Sequence, residues 1–204
     1  MERTIAVIQA RMGSIRLPGK VDLKIDHSTT IERQLVVLRT RCTLVDGVVL
    51  AIPGNEENQI LFDKFNGSNL CKLFPDSGDP NDVLKRIMSA GKFFKATNIV
   101  RVCADSPFIQ PWAIDYAIAK HKEAKADYTF TYGMPAGMNA EVCSLTALEK
   151  IYPKTTPEEK EHVTLYFEHY PWGFKIQDLD LRNMSLDTPE DYKFLQEIAK
   201  YGLD

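Results

Sequence analysis

The chain has 204 residues, of which 44% are hydrophobic and 26% are charged, and its formal net charge is -3 at pH 7. This composition is typical of a globular protein and excludes a disordered or low-complexity chain, and we expect a single domain over residues 1–204. The slightly acidic balance argues against nucleic-acid binding, so a polyanionic ligand would need a local cluster of cations.

Targeting signals and cysteines restrict the class of protein further. The first residues contain only a short apolar stretch before Gln9 and Arg11, which is too short and too polar for a signal peptide or a membrane span. We therefore expect a cytoplasmic protein that does not bind membranes. The spacing of the four cysteines fits neither a zinc site nor a disulfide scaffold and predicts buried, reduced thiols at Cys42, Cys71, Cys103 and Cys143.

In the first half of the chain, short β-branched runs alternate with longer amphipathic segments, which predicts βα units and a mainly parallel sheet. A helix is expected from Thr29, where Glu32 completes a capping box, to Cys42. A second helix is expected to have Pro80 in its first turn. Buried strands are predicted at residues 4–10, 47–52, 70–74 and 98–104.

The second half of the chain is less regular. Helices are expected to start at Pro111 and at the Thr-Pro pairs that begin with Thr156 and Thr188. Strands that are antiparallel or lie at a sheet edge are predicted at residues 127–132, 139–145 and 174–179. The glycine- and proline-rich residues 132–139 are interpreted as a loop within the domain.

The segment QARMGSIRLPGK, residues 9–20, directly follows the first predicted strand. Ligands of open α/β sheets bind beyond the carboxyl ends of the strands. The segment has glycines that permit close backbone approach, a hydroxyl and three cations, which together suit a triphosphate, although a solvated basic loop fits the same chemistry. It lacks the spacing of a Walker loop. The residues concerned are Gly13, Gly19, Ser14, Arg11, Arg16 and Lys20.

This segment resembles the signature RxxSxRLPxK of the CMP-sugar synthetases, the cytidylyltransferases for acylneuraminate and 3-deoxy-manno-octulosonate. The similarity is greater to the branch called the spore coat polysaccharide biosynthesis protein F family. Six further blocks occur in family order: VVLA at 48–51, DVLKR at 82–86, VRVCADSPFI at 100–109, GMNAEV at 137–142, EHVT at 161–164 and LDTPEDY at 186–192.

The resemblance implies a three-layer α/β/α sandwich of the nucleotide-diphospho-sugar transferase type with a mainly parallel sheet. It also implies a reaction in surface polysaccharide or glycan biosynthesis, in which a hydroxyl of a sugar acid attacks the α-phosphorus of CTP and pyrophosphate leaves. The acceptor would be an ulosonic or nonulosonic acid. The CTP site implied by the family comprises Ala10, Arg11, Ser14, Arg16, Lys20, Ala51 and Asp82.

Two carboxylates, Asp105 after the strand at 98–104 and Asp187 before the last helix, are implied by the family as Mg²⁺ ligands. Hard cations take such oxygen ligands together with phosphates and waters. Without the resemblance, the residues themselves favour a turn at Asp105 and a helix cap at Asp187. Together with Arg11 and Lys20 on the leaving pyrophosphate, these two aspartates are the expected catalytic residues.

For the acceptor, the family blocks indicate Asn139, Glu141 and His162, although a histidine such as His162 is also an ordinary helix residue. Asn139 stands where the family usually has aspartate, which leaves the sugar specificity open. Ile15 replaces the usual threonine, and ADSP at 104–107 replaces the usual GDCP. A homodimer would need a surface other than the long dimerisation insertion of the octulosonate enzymes, for which this chain is too short.

Two other functions stay open at this stage. A metal-dependent glycosyltransferase of related fold would use Asp178, Leu179 and Asp180 as its DxD motif. A non-catalytic nucleotide-binding subunit would keep the loop at residues 9–20 without releasing pyrophosphate. The presence of both Asp105 and Asp187 argues for an enzyme.

Overall fold

The computed structural model describes residues 2–182 and 184–202. Within these residues, seven strands form one sheet and two very short strands form a separate hairpin. The strands are β1 (Thr4–Gln9), β2 (Lys24–Ile25), β3 (Ser28–Thr29), β4 (Gly47–Pro53), β5 (Lys72–Asp76), β6 (Asn98–Cys103), β7 (Tyr128–Tyr132), β8 (Glu141–Ser144) and β9 (Ile176–Asp180). The order in the sheet is β5-β4-β1-β6-β8-β7-β9.

Helices cover both faces of this sheet. They are α1 (Thr30–Thr40), α2 (Gln59–Phe65), α3 (Val83–Phe93), α4 (Pro111–Ala124), α5 (Leu145–Ile151), α6 (Pro157–His162), α7 (Leu165–His169) and α8 (Pro189–Ala199). Alternate residues of β1 point to opposite faces: Ala6 and Ile8 join the core beneath α1, α2 and α4, whereas Ile5 and Val7 join the core beneath α3 and α5. The predicted three-layer α/β/α sandwich is confirmed.

The directions of the strands determine where a ligand site can form. β1 pairs in parallel with β4 and β6, and β4 pairs in parallel with β5. β8 is antiparallel to both β6 and β7, while β7 and β9 are parallel. Except for β8, the strands therefore end at one edge of the sheet. The loop after β1 and the aspartate after β6 lie at that edge.

Most predicted elements are present, with local differences. The helix expected with Pro80 in its first turn begins at Val83, because Asp82 caps it by accepting a hydrogen bond from the Lys85 backbone N–H. The strand predicted at residues 70–74 runs from Lys72 to Asp76. The capping box predicted at Thr29 is confirmed, and the helices predicted to start at Thr156 and Thr188 also begin with capping boxes. None of the described helices is long and apolar enough to span a membrane.

Candidate functional site

A cavity of about 350 Å³ opens beyond the carboxyl ends of β1 and β6. This size is within the range of small-molecule sites. We call it the β1 cavity. The predicted ligand-binding residues that line it are Ala10, Arg11, Ser14, Arg16, Lys20, Asp105 and His162. Two residues assigned to CTP, Ala51 and Asp82, are not among its lining residues.

The loop after β1 folds back on itself at the mouth of the β1 cavity. The carbonyl oxygen of Met12 accepts hydrogen bonds from the backbone N–H groups of Ser14 (2.8 Å) and Gly19 (3.1 Å). Gly19 has a φ of 67°, in the left-handed region that favours glycine. The backbone N–H of Met12 donates to Asn58 Oδ1 (2.8 Å), which anchors the loop to the segment before α2. The loop therefore brings Lys20 back to the cavity that Arg11 also lines.

Arg11 is fixed between two other segments at the cavity. Its Nη1 donates to Asn81 Oδ1 at 2.7 Å, and its Nη2 donates to Glu161 Oε1 at 2.9 Å. Glu161 lies near the end of α6, where the Thr164 N–H donates to the carbonyl of His162 across a γ-turn centred on Val163. The φ of Val163 is 59°, which is strained for a β-branched residue. This strained turn ends the helix that presents Glu161 and His162 to the cavity.

Lys20 and Asp105, which are 85 positions apart in the sequence, form an ion pair through Nζ and Oδ2 in the β1 cavity. Asp105 is partly exposed, with a side-chain exposure of 42%. The second predicted metal ligand, Asp187, is exposed, lies between β9 and α8, and does not line the β1 cavity. Its backbone N–H donates to the carboxylate of Asp191 at 3.2 Å. Among the described residues, no group of three possible ligands forms a metal site.

Arg86 is a site residue that the sequence reasoning did not identify. It lies on α3 with 1% of its surface exposed, and its side chain lines the β1 cavity. Its Nη2 donates to the carbonyl of Pro80 at 2.7 Å. Its Nε lies 3.3 Å from Asp76 Oδ2, which is an ion-pair distance without hydrogen-bond geometry. Burial lowers the pKa of Arg86, and Asp76 opposes that effect.

Asp82 and Ala51 occupy structural positions. Asp82 Oδ1 accepts the backbone N–H of Lys85, and Asp82 Oδ2 accepts the hydroxyl of Tyr152 at 2.7 Å. This hydrogen bond raises the pKa of Tyr152 to about 12. Ala51 is fully buried in β4, where it pairs with Gln9 of β1.

A second cavity of about 280 Å³, here called the β8 cavity, lies between β6 and β8. It is lined by two of the predicted acceptor residues, Asn139 and Glu141, and it shares Arg101 and Cys103 with the β1 cavity. The third acceptor residue, His162, lines the β1 cavity instead. The predicted acceptor residues are thus divided between two adjoining cavities. Their shared wall includes Arg101, which the sequence reasoning also missed.

Cys103 corrects one expectation about the thiols. Cys42, Cys71 and Cys143 are buried, but Cys103 is only partly buried because it lies in the wall between the two cavities. All four are free of disulfide bonds. Burial raises the pKa of the Cys103 thiol, and Arg101 opposes this effect. Cys103 is therefore a neutral wall residue, as expected for a thiol without catalytic function.

The alternative DxD motif lies elsewhere. Asp178 and Asp180 belong to β9 at the edge of the sheet, and neither lines a described cavity. Asp180 accepts a hydrogen bond from Arg182 Nε at 2.9 Å, and this contact lowers the pKa of Asp180 to about 2. Asp180 is thus paired locally with Arg182, and the two aspartates of the motif lie outside both cavities.

The structure combines a mainly parallel sheet, a glycine- and arginine-containing loop after β1 and an aspartate after β6 at the same cavity, which is the arrangement expected of a nucleotidyltransferase. Residues 5–202 match the model of the cytidylyltransferase family, and the chain belongs to that family. The chain is 29% identical to the spore coat polysaccharide biosynthesis protein SpsF of Bacillus subtilis, over 97% of this chain and 87% of that protein.

Two other proteins extend the comparison. A 3-deoxy-manno-octulosonate cytidylyltransferase from Colwellia psychrerythraea is 35% identical over 107 residues, which are 52% of this chain and 37% of that enzyme. The solved structure of a cytidylyltransferase from Leptospira borgpetersenii superposes with a TM-score of 0.81 and 25% identity. That superposition covers 100% of this chain and 89% of the other, so the likeness extends over the whole sheet and both helical layers.

Proposed function

We propose that this cytidylyltransferase transfers CMP from CTP to a hydroxyl of a sugar acid, with Mg²⁺ and with release of pyrophosphate. The single observation that carries the proposal is the convergence of Arg11, Lys20 and Asp105 on the β1 cavity. The acceptor class is an ulosonic or nonulosonic acid, and the similarity to a 3-deoxy-manno-octulosonate cytidylyltransferase supports that class. A role in surface polysaccharide or glycan biosynthesis follows from the similarity to SpsF.

The cations of the β1 cavity bind and orient the triphosphate. Phosphoryl-type transfer depends mainly on positioning and on neutralising charge on the transferred and leaving groups. Arg11 and Lys20 line the β1 cavity together with Ser14 and Arg16 of the same loop, and we assign Arg11 and Lys20 to the leaving pyrophosphate. Without nucleotide, Lys20 is neutralised by Asp105. In the proposed complex, phosphate oxygens replace Asp105 as the partner of Lys20, which frees the carboxylate for another role.

That other role of Asp105 is to hold Mg²⁺. The donor chemistry fits, because Mg²⁺ is commonly bound by only one or two carboxylates together with substrate phosphates and waters. Asp187 is the proposed second carboxylate, supplied by the segment between β9 and α8. When bound, the metal would supply Lewis-acid charge neutralisation at the α-phosphate. Ala10 and Ala51 remain the proposed neighbours of the cytosine, and Asp82 remains a proposed contact of CTP.

The acceptor is proposed to bind in the β8 cavity and at its junction with the β1 cavity. Asn139 and Glu141 line the β8 cavity and His162 lines the β1 cavity, and the two cavities share Arg101 and Cys103. An acceptor bound there has its hydroxyl beside the α-phosphate of a nucleotide in the β1 cavity. A cytoplasmic location and a homodimer remain predictions.

A pyrophosphate-release panel tests the proposal. The panel crosses ATP, CTP, GTP and UTP with 3-deoxy-manno-octulosonic acid and N-acetylneuraminic acid, with and without Mg²⁺. CTP with Mg²⁺ is expected to give the fastest release. Equal rates with all four triphosphates would overturn the proposal.

Two matched variants complete the test. Asp105→Asn is expected to lower pyrophosphate release by at least about 100-fold, because it removes a proposed metal ligand. Asp178→Asn, at an exposed position in β9, is the control and is expected to leave the rate unchanged. Sugar transfer from a sugar nucleotide to an acceptor without pyrophosphate release, abolished by Asp178→Asn and retained in Asp105→Asn, would favour a DxD glycosyltransferase instead.

A further inference from the structure

Arg101 lies at the wall that the two cavities share. It is opposite Glu141 in the antiparallel pairing of β6 with β8, and its Nη1 donates to Glu141 Oε2 at 2.6 Å. Its side chain is 14% exposed and lines both cavities. Burial is the largest single effect and lowers the pKa of Arg101, but the charge and hydrogen bond of Glu141, together with Cys103 and Cys143, raise that pKa overall. The guanidinium is therefore a fixed positive charge between the two cavities.

Glu141, by contrast, has little capacity left for a ligand. Its Oε2 accepts from Arg101, and its Oε1 lies within hydrogen-bond distance of the Tyr128 hydroxyl (3.4 Å) and of Thr164 Oγ1 (3.3 Å). A carboxylate fixed by three protein donors is a positioning group, because a substrate hydroxyl would have to compete with all of them. The group that Glu141 positions is the guanidinium of Arg101.

The guanidinium retains a free edge. Its Nε–H is buried and has no hydrogen-bond partner in the described part of the chain. A buried donor without a partner is unfavourable, so a ligand that supplied an acceptor to Nε would be stabilised. The edge formed by Nε and Nη2 matches the two oxygens of a carboxylate in a bidentate pair.

The charge distribution distinguishes between the phosphates of a nucleotide and the carboxylate of an acceptor as the ligand of this edge. The β1 cavity has four other cationic lining residues, Arg11, Arg16, Lys20 and Arg86, for the phosphates of a nucleotide. Among the described residues that line the β8 cavity, Arg101 is the one cation. An anionic group entering the β8 cavity thus has a single partner there.

We propose that Arg101, positioned by Glu141, binds the carboxylate of the acceptor and thereby selects sugar acids over neutral sugars. This inference rests on the proposed function, because it assigns the acceptor's anionic group within the same site. It also changes the role of Glu141 from a direct sugar contact to a positioning residue.

The test compares acids with their amides. Kinetics with CTP are measured for 3-deoxy-manno-octulosonic acid, N-acetylneuraminic acid and the primary carboxamide of each. The Arg101→Gln/Glu141→Gln double variant removes both charges together, so no unpaired buried charge remains. We expect the KM for the acids to rise about 10- to 100-fold in this variant, while the KM for CTP stays within about 2-fold. The preference for acid over carboxamide is expected to disappear.

Two single variants control for misfolding and separate the role of Arg101 from that of Glu141. Arg101→Lys keeps the positive charge beside Glu141 but lacks the planar fork, so it is expected to fold like the wild type and still to weaken acid binding. Glu141→Gln alone keeps the guanidinium but not its partner. Because Glu141 acts by positioning, its loss is expected to raise the KM for the acids and to leave the KM for CTP unchanged.

Calorimetry of the same acids and amides in the presence of CMP gives a readout that does not depend on turnover. Retained acid preference in the double variant, a rise in the KM for CTP alone, or equal binding of acid and amide by the wild type would each overturn the assignment of Arg101. Absence of pyrophosphate release by the wild type would overturn the proposed function instead, and calorimetry would still decide whether the acid binds through Arg101.

Discussion

Lys20 shows how a single side chain can serve two states of the site. In the structure its ammonium group pairs with Asp105, and both side chains are partly exposed, at 34% and 42%. An ion pair so accessible to solvent contributes little to stability. We therefore expect its significance to be functional, because the pair keeps a cation at the β1 cavity for the proposed triphosphate.

We expect Lys20→Met to lower kcat/KM for CTP by about 10- to 100-fold, because one charge-assisted contact to the leaving pyrophosphate is lost. The measurement is pyrophosphate release at varied CTP. Lys24→Met, at an exposed lysine of β2, is the matched control and is expected to have no effect. An equal loss in both variants would show that general positive charge near the cavity, and not Lys20, is responsible.

At the scale of elements, the close approach of two loops explains why position 133 is a glycine, which the sequence analysis did not single out. Gly133 follows β7 and has a φ of 91°. A Cβ at this position would lie 2.8 Å from the backbone nitrogen of Arg182, which follows the neighbouring strand β9. The two strand ends can therefore approach each other only if residue 133 has no side chain.

Gly133→Ala is expected to lower the free energy of unfolding by about 1–3 kcal/mol more than Gly173→Ala does. Gly173 also has a φ of 91°, but a Cβ there would meet no atom within 4 Å. Both variants thus share the conformational cost, and only Gly133→Ala has the clash. Urea denaturation measures the difference, and equal losses would mean that the loop after β9 moves aside freely.

His121 links α4 to β7 and gives the fold a pH dependence. It is 2% exposed, and its Nδ1 is 2.9 Å from Thr129 Oγ1. Burial lowers the pKa of His121 from its ordinary value of 6.5 to about 4, while Asp127 opposes this effect and Lys122 adds to it. The unfolded chain therefore takes up a proton at a higher pH than the folded chain. The stability that depends on neutral His121 is complete above about pH 6.5 and is lost as the pH falls towards 4.

Between pH 7 and pH 5, this linkage is expected to lower the free energy of unfolding by about 2 kcal/mol. His121→Gln is expected to remove that part of the pH dependence, as measured by urea denaturation at the two pH values. His27, with 97% of its side chain exposed, provides the control, and His27→Gln is expected to retain the pH dependence of the free energy of unfolding. Unchanged pH dependence in His121→Gln would show that other groups account for it.

Elements with local signals were predictable from sequence, and those that depend on distant contacts were not. The boxes at Thr29 and Thr156 are local, because each cap and its partner lie within one turn. Pro80 was also interpreted as a local signal for the start of a helix. It lies instead in a turn in which the Asp82 N–H donates to the Asp79 carbonyl, and Asp82 caps the helix. The helix α2 was missed because only two of its residues, Leu61 and Phe65, are buried.

At the scale of the whole molecule, strand order decides which parts of the predicted site meet. The sequence predicted the loop after β1 and the aspartate after β6, and the parallel pairing of these strands brings both to one cavity. Arg86 and Arg101 were missed, because an arginine on a predicted helix or strand is ordinarily a surface residue. Their burial depends on Asp76 and Glu141, partners that only the folded sheet supplies.

The proposed metal-binding role of Asp187 depends on the arrangement of the whole sheet. It follows β9 at the far edge of the sheet, whereas Asp105 follows β6, with β8 and β7 between those two strands. For both carboxylates to bind one Mg²⁺, Asp187 must reach the β1 cavity beside β6, two strands away from β9. Ligand binding would then couple the last segment of the chain to its first loop.

This coupling predicts a metal-dependent gain in stability on nucleotide binding. At a CTP concentration about 100 times its dissociation constant, the gain is about 2.7 kcal/mol, measured as a shift in thermal unfolding. Asp105→Asn and Asp187→Asn are both expected to lose the part of the shift that requires Mg²⁺, while the part due to Arg11 and Lys20 persists. Glu190→Gln, on the exposed first turn of α8, is the matched control. If Asp187→Asn behaved like that control, Asp105 would bind the metal without Asp187, and the last segment would have no part in nucleotide binding.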